Sequence, residues 1–135
     1  MTQEDKDLLL KDLCVRLPYG TMVYAQNAVD WYDSEICTQV LSDVINEDYI
    51  VKPYLFPLSS MTEEQKYDFY CRFIANDCDF DDFKEFYLDN GMWHKMLTSI
   101  DDCDSVVDWF CKNHFDYKGL IPKGLSIDAT GLNIY

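Results

Sequence analysis

Leu9, Leu10, Leu13 and Leu17 recur at helical spacing, and Leu8 and Cys14 widen the same stripe. Thr2 can cap this helix, with Glu4 and Asp5 in its positive first turn. Lys11 and Arg16 fall towards its C-terminal end, and Pro18 with Gly20 stops it.

The pattern changes over residues 21–58. TMVYAQ and YIVKPYLFPL read as strands, rich in β-branched and aromatic residues. EICTQVLSDVI lies between them, and its Val40, Leu41, Val44 and Ile45 fit both a strand and a helix period. A meander of short antiparallel strands is the favoured reading, with residues 36–46 open between strand and helix. Pro53 and Pro57 put the third strand at an edge or make it leave the sheet there.

Helical signals return at SSMTEEQKYDFYCRFI. Thr62 and Gln65 form a capping box, and Glu63 and Glu64 favour the N-terminal end of the dipole. Tyr67, Tyr70, Cys71 and Ile74, extended by Phe73, are expected on one buried face. Phe80, Phe83, Phe86 and Tyr87 predict a short helix ending near Asn90-Gly91. MWHKMLTSI reads as a strand or a helical turn. DCDSVVDWFCKNH puts Val106, Val107, Phe110, Cys111 and His114 on one helical face. The tail, with three glycines and a proline, reads as loop with one short strand. Together these elements predict one α+β domain over residues 1–135: an N-terminal helix, a small antiparallel sheet or partial barrel, and two or three short helices.

Three stretches carry a resemblance: EDKDLLLKDLCVRLPYG at 4–20, IVKPYLFPLSSMTEEQK at 50–66 and VDWFCKNHFDYKGLIPKGLSID at 107–128. In combination, KPYL-P-SSMTEE and HFDY-GLI resemble a family of small proteins from gut Bacteroides-type bacteria, their prophages and phages. The resemblance covers somewhat under half the chain. It departs from the family pattern at Phe56, where arginine is common, and at Asn113, where a second histidine is common. It implies a bacterial or phage cytoplasmic protein with a recurring scaffold, and no particular activity.

Charge narrows the functional classes. The 135 residues hold 11 Lys+Arg against 25 Asp+Glu, a formal charge of −14. Such a field opposes direct binding to nucleic-acid phosphates and to anionic membranes, and favours encounters with basic surfaces. No run approaches the roughly 20 apolar residues of a membrane span. MTQEDKDLLLKDL lacks the basic start and uncharged apolar run of a signal peptide. The six cysteines, at 14, 37, 71, 78, 103 and 111, are therefore expected to be reduced thiols in the cytoplasm.

Candidate chemistry is sparse. His114 and Asp116 are the minimum acid–base pair, in NHFDYKGLI, but no nucleophile elbow or third triad member accompanies them. The structural alternative makes His114 the last helical residue, favoured by the C-terminal dipole, with Phe115 and Tyr117 turned inward and Gly119 supplying a turn. Cys103-x7-Cys111-x2-His114 and Cys71-x6-Cys78 lack the tight pairs of zinc sites. Asp77, Asp79 and Asp81 match the start of a calcium loop, but Asp82 and Leu88 stand where glycine and glutamate are needed. Phosphate-cradling glycine motifs are absent. No metal and no cofactor is expected.

The resulting expectation is a non-catalytic cytoplasmic protein, phage- or prophage-encoded, that binds a host protein with a basic surface. Asp79, Phe80, Asp81, Asp82 and Phe83 are its preferred contact residues, with Asp101, Asp102 and Asp104 a second acidic cluster. The alternative is a small hydrolase or nucleotide-processing enzyme using His114, Asp116 and carboxylates from 101–104.

Overall fold

Thr2 starts the first helix as its hydroxyl allows: Oγ1 accepts from the Asp5 amide at 3.1 Å, and α1 runs Gln3–Arg16. A 3-10 turn, Leu17–Tyr19, follows it, and Gly20 at φ 66° turns the chain through the left-handed region that favours glycine. The structure, a computed structural model, describes residues 2–47, 49–75, 78–85 and 104–135. It is an α+β fold with a four-stranded open sheet. The chain divides into two compact units, Met1–Pro57 with Phe110–Tyr135, and Leu58–Trp109.

In the first unit, strands β1 (Met22–Gln26), β2 (Trp31–Glu35), β3 (Ile50–Leu55) and β4 (Ile127–Asp128) lie in the order β2-β1-β3-β4. β1 pairs antiparallel with both β2 and β3, and β3 pairs parallel with β4 over two residues. The β1–β2 hairpin turns at Asn27, whose Oδ1 accepts from the amides of Val29 and Asp30. One sheet face supplies Val23, Ala25, Val51 and Leu55 to a core completed by Leu9 and Leu13 of α1 and by Val40 and Val44. Burying each of these valine and leucine side chains contributes roughly 1.5–3 kcal/mol.

Residues 36–46 correct the favoured meander. They contain helix α2 (Thr38–Asn46), in which Val40 and Val44, four apart, meet the core together. Glu47 closes α2 at φ 57°, with its amide on the carbonyls of Asp43 and Val44. The strand that completes the hairpin is instead WYDSE, whose alternation of exposed and half-buried positions is too polar to signal a strand by hydropathy. β3 is likewise no edge strand. Pro53 is tolerated inside it because Val23↔Pro53 is a rung whose backbone groups point away from β1. The chain leaves the sheet after Leu55, through a single parallel bridge between Phe56 and Phe115 before Pro57.

Within α1 the stripe is also shifted. Leu17 and Cys14 are exposed, while Asp12 and Arg16 are buried beside Leu9 and Leu13. Arg16 Nε donates to Asp12 Oδ2 at 2.8 Å, Nη2 donates to the Phe115 carbonyl at 2.6 Å, and the guanidinium lies 5.4 Å from the Tyr117 ring centroid.

The second unit contains α3 (Glu63–Phe73) and α4 (Phe80–Phe83), with the start of α5 (Asp104–Lys112). The capping box of α3 forms as expected: Gln65 N donates to Thr62 Oγ1 and Thr62 N donates to Gln65 Oε1. The buried face differs from the expected one. Phe69 is fully buried, with Ile74, whereas Tyr67 and Cys71 are exposed. Phe69 packs on Phe73 at 4.9 Å, on Trp109 at 5.1 Å and on Phe83 at 6.0 Å between ring centroids. Trp109 Nε1 donates to Asp68 Oδ2. MWHKMLTSI and the expected helix end at Asn90-Gly91 lie outside the described residues. No described helix is long and apolar enough to cross a membrane.

Candidate functional site

α5 stops at Lys112, so His114 is not its last residue. The His114 amide bonds the Cys111 carbonyl and its φ is 60°, a left-handed conformation that costs a non-glycine residue about 1–2 kcal/mol. Phe56 then zips the next residues down: its amide donates to the His114 carbonyl and its carbonyl accepts from the Asp116 amide, both at 2.8 Å. The imidazole stacks on Tyr135 at 3.7 Å and 7° between planes, with Nδ1 3.4 Å from Thr21 Oγ1. Tyr135 is itself fixed, its hydroxyl donating to the Tyr54 carbonyl and accepting from the Met22 amide.

Asp116 is buried and uses both oxygens on backbone. Oδ1 accepts from Leu120 N at 2.8 Å and Oδ2 from Ile121 N at 2.9 Å. These bonds close the turn through Gly119, at φ 74°, with Phe115 and Tyr117 inward as the structural alternative expects. Both Asp116 oxygens thus hold the chain's own backbone, while the His114 ring meets Tyr135 and Thr21. The favourable helix-end charge expected for His114 is also reversed. Burial, and then the nearby Arg16 cation, lower its pKa to about 4, so the ring is neutral at physiological pH.

That shift has a measurable consequence. A histidine held neutral contributes stability above its unfolded pKa near 6.5, and this is lost as pH falls towards 4 and the unfolded chain takes up the proton first. The full interval would correspond to about 3.4 kcal/mol. For a partly exposed ring, solvent screening reduces this to about 1–2 kcal/mol. His114→Asn keeps a residue that accepts the left-handed region and removes the titration. The difference in unfolding free energy between the two proteins should fall between pH 6.5 and pH 4; a flat difference would contradict the neutral, partly buried ring.

The acidic candidates fall in three places. Asp101 and Asp102 lie outside the described residues, and Asp104 opens α5. Asp79 N-caps α4, its Oδ1 accepting from Asp82 N at 2.8 Å. Asp81 and Asp82 are exposed. Phe83 is fully buried against Phe69, so it supports the surface from below. Phe80 is half-buried, packed on Tyr67 at 5.2 Å and Tyr70 at 5.4 Å, and Tyr67 is 54% exposed. Lys84 Nζ sits 4.6 Å from the Phe80 ring centroid, 3.7 Å from Glu63 and 4.0 Å from Asp81. Sequence reasoning missed Tyr67 and Lys84 as surface partners of Phe80, although Phe80 and Lys84 stand four apart at helical spacing.

Among the described residues no three ligand-type side chains converge on a metal position. Asp77 of the calcium reading and Cys103 of the zinc reading lie outside the described residues. Among the described residues, Cys14, Cys37, Cys71, Cys78 and Cys111 form no disulfide. Fold and surface together define an α+β protein with an acidic face built on stacked aromatic rings. No family model matches the sequence, and neither a curated protein nor a solved structure matches it.

Proposed function

We propose that this is a non-catalytic cytoplasmic interaction protein that binds a basic surface of a partner protein through the α3–α4 face. The observation that carries this reading is Lys84 over Phe80. There the chain's own ammonium occupies an aromatic ring bordered by carboxylates, the arrangement an incoming lysine or arginine would use. The net charge of −14 supports the same polarity of partner at long range. The sequence resemblance to phage and bacterial proteins adds a bacterial host protein as the class of partner. The enzymatic alternative, a small hydrolase or nucleotide-processing enzyme, gains no support from His114 and Asp116: the imidazole Nδ1 meets the Thr21 hydroxyl, and the carboxylate holds the turn at Leu120 and Ile121.

Capture from bacterial lysate with the wild-type chain, followed by association kinetics with the captured protein, tests the reading. The Debye length falls from roughly 10 Å at 0.1 M salt to about 3 Å at 1 M. Association should slow markedly across that range, with dissociation changing less. Asp79→Asn, Asp81→Asn and Asp82→Asn together should slow it in the same way, and asparagine retains the α4 cap. Lys84→Ala should act oppositely, by removing the competing cation and one positive charge. An association rate indifferent to salt and to all four substitutions would reduce the acidity to a solubility device.

A further inference from the structure

The outer edge of the sheet offers a different kind of contact. β2 pairs on one side with β1, and no described residue pairs with its other side. Which of its backbone groups face outward follows from the hairpin. Asn27 N donates to the Asp30 carbonyl at one end, and Ile36 N donates to the Thr21 carbonyl at the other. In an antiparallel ladder every second residue bonds inward, so Tyr32 and Ser34 face β1, and Trp31, Asp33 and Glu35 turn their amides and carbonyls out.

Two of those six groups are already engaged. The Trp31 amide donates to Asp30 Oδ1 at 2.8 Å, and the Glu35 carbonyl accepts from Ser34 Oγ at 2.9 Å. The open set is the Trp31 carbonyl, both groups of Asp33 and the Glu35 amide. These four match one added antiparallel strand centred opposite Asp33. WYDSE contains neither lysine nor proline, and its charged side chains are the carboxylates of Asp33 and Glu35, which repel an acidic strand and attract a basic one.

The side chains of the same three residues share one face and are all exposed. Trp31 is 60% exposed and stacks on Tyr24 at 6.0 Å. Asp33 is oriented by the Tyr54 hydroxyl, which donates to Oδ1 at 2.8 Å. A second copy of this chain fits poorly: symmetric antiparallel pairing about Asp33 would set that carboxylate directly against its equivalent.

We propose that β2 accepts an extended basic segment of a partner protein as a fifth, antiparallel strand. Read from its N-terminus, that segment carries a basic residue opposite Glu35, a basic residue opposite Asp33 and an apolar or aromatic residue opposite Trp31, at alternate positions. Main-chain bonds supply affinity and the alternate side chains supply selectivity. The inference shares only the polarity of the partner with the α3–α4 reading and does not rest on it.

A capped synthetic peptide, Thr-Lys-Thr-Arg-Thr-Phe-Thr, is the probe, titrated into the full-length ¹⁵N-labelled protein by NMR. The Asp33 and Glu35 amides should shift saturably, and exchange of the Asp33 amide with solvent should slow. N-methylation of the peptide's arginine removes the donor to the Asp33 carbonyl and should weaken binding at least tenfold. Asp33→Lys with Glu35→Lys should abolish it, while Asp81→Asn with Asp82→Asn should leave it unchanged. Equal affinity for the N-methylated peptide would overturn strand addition, as would absence of binding or shifts confined to residues 79–84. Concentration-dependent shifts at Asp33 without peptide would assign the edge to self-association and overturn the proposal as well.

Discussion

Replacing Arg16 by methionine should lower the unfolding free energy by about 3–5 kcal/mol, because it leaves the Asp12 carboxylate buried without its partner. Both side chains have no exposure, and the guanidinium joins α1 to the Phe115 carbonyl as well as to Asp12. Burial alone would lower the arginine pKa; the adjacent Asp12 charge and hydrogen bond outweigh this and raise it, so the guanidinium stays charged. The site is nevertheless imperfect, since Asp12 Oδ1 and Arg16 Nη1 find no hydrogen-bond partner among the described residues. Breaking the pair is therefore expected to cost far more than replacing it. Asp12→Leu with Arg16→Met should recover most of the loss, with no unpaired charge left inside. Arg16→Lys should fall between, because an ammonium keeps the charge but not the planar fork that reaches two acceptors. Urea denaturation followed by far-UV circular dichroism separates the three. A single-mutant loss under about 1 kcal/mol would mean that water reaches the pair.

The face of α1 that carries this pair shows what the sequence made legible and what it hid. Leu9, Asp12, Leu13 and Arg16 stand at the spacing of one helical face, and the structure buries all four. A hydropathy reading keeps the leucines, discards the charged pair and fills the stripe with Leu17 and Cys14, which are exposed. Polar anchoring escapes such a reading because its partner is remote in sequence: the Phe115 carbonyl lies 99 positions from Arg16. Local chemistry transferred well for the opposite reason. The Thr62–Gln65 capping box, the Thr2 cap and the turn glycines depend on neighbours within a few residues. β2 failed on different grounds, because a strand open to solvent at its edge needs no apolar alternation. His114 and Asp116 looked like chemistry through proximity alone. The structure gives them separate partners, Tyr135 for the imidazole and the amides of Leu120 and Ile121 for the carboxylate.

Phe69→Ala should cost about 3–5 kcal/mol, the range for deleting a buried aromatic ring whose surroundings relax only in part. Phe69 has no exposed surface, and its ring meets Phe73 in its own helix, Phe83 in α4 and Trp109 in α5. Three elements therefore lose a shared partner at once. Phe83→Ala should behave alike, since Phe83 is equally buried and stacks on Phe69 with 20° between planes. Phe80→Ala is the contrasting case. Its half-buried ring should yield a loss of about 1 kcal/mol or less, with Tyr67 and Tyr70 still covering the helix. Partner association should nevertheless weaken, because the ring beneath Lys84 is gone. Near-UV circular dichroism during urea unfolding reports the first two substitutions, and association kinetics report the third. A Phe83→Ala protein with unchanged stability and no partner binding would move Phe83 from the support of the acidic face into its contact surface.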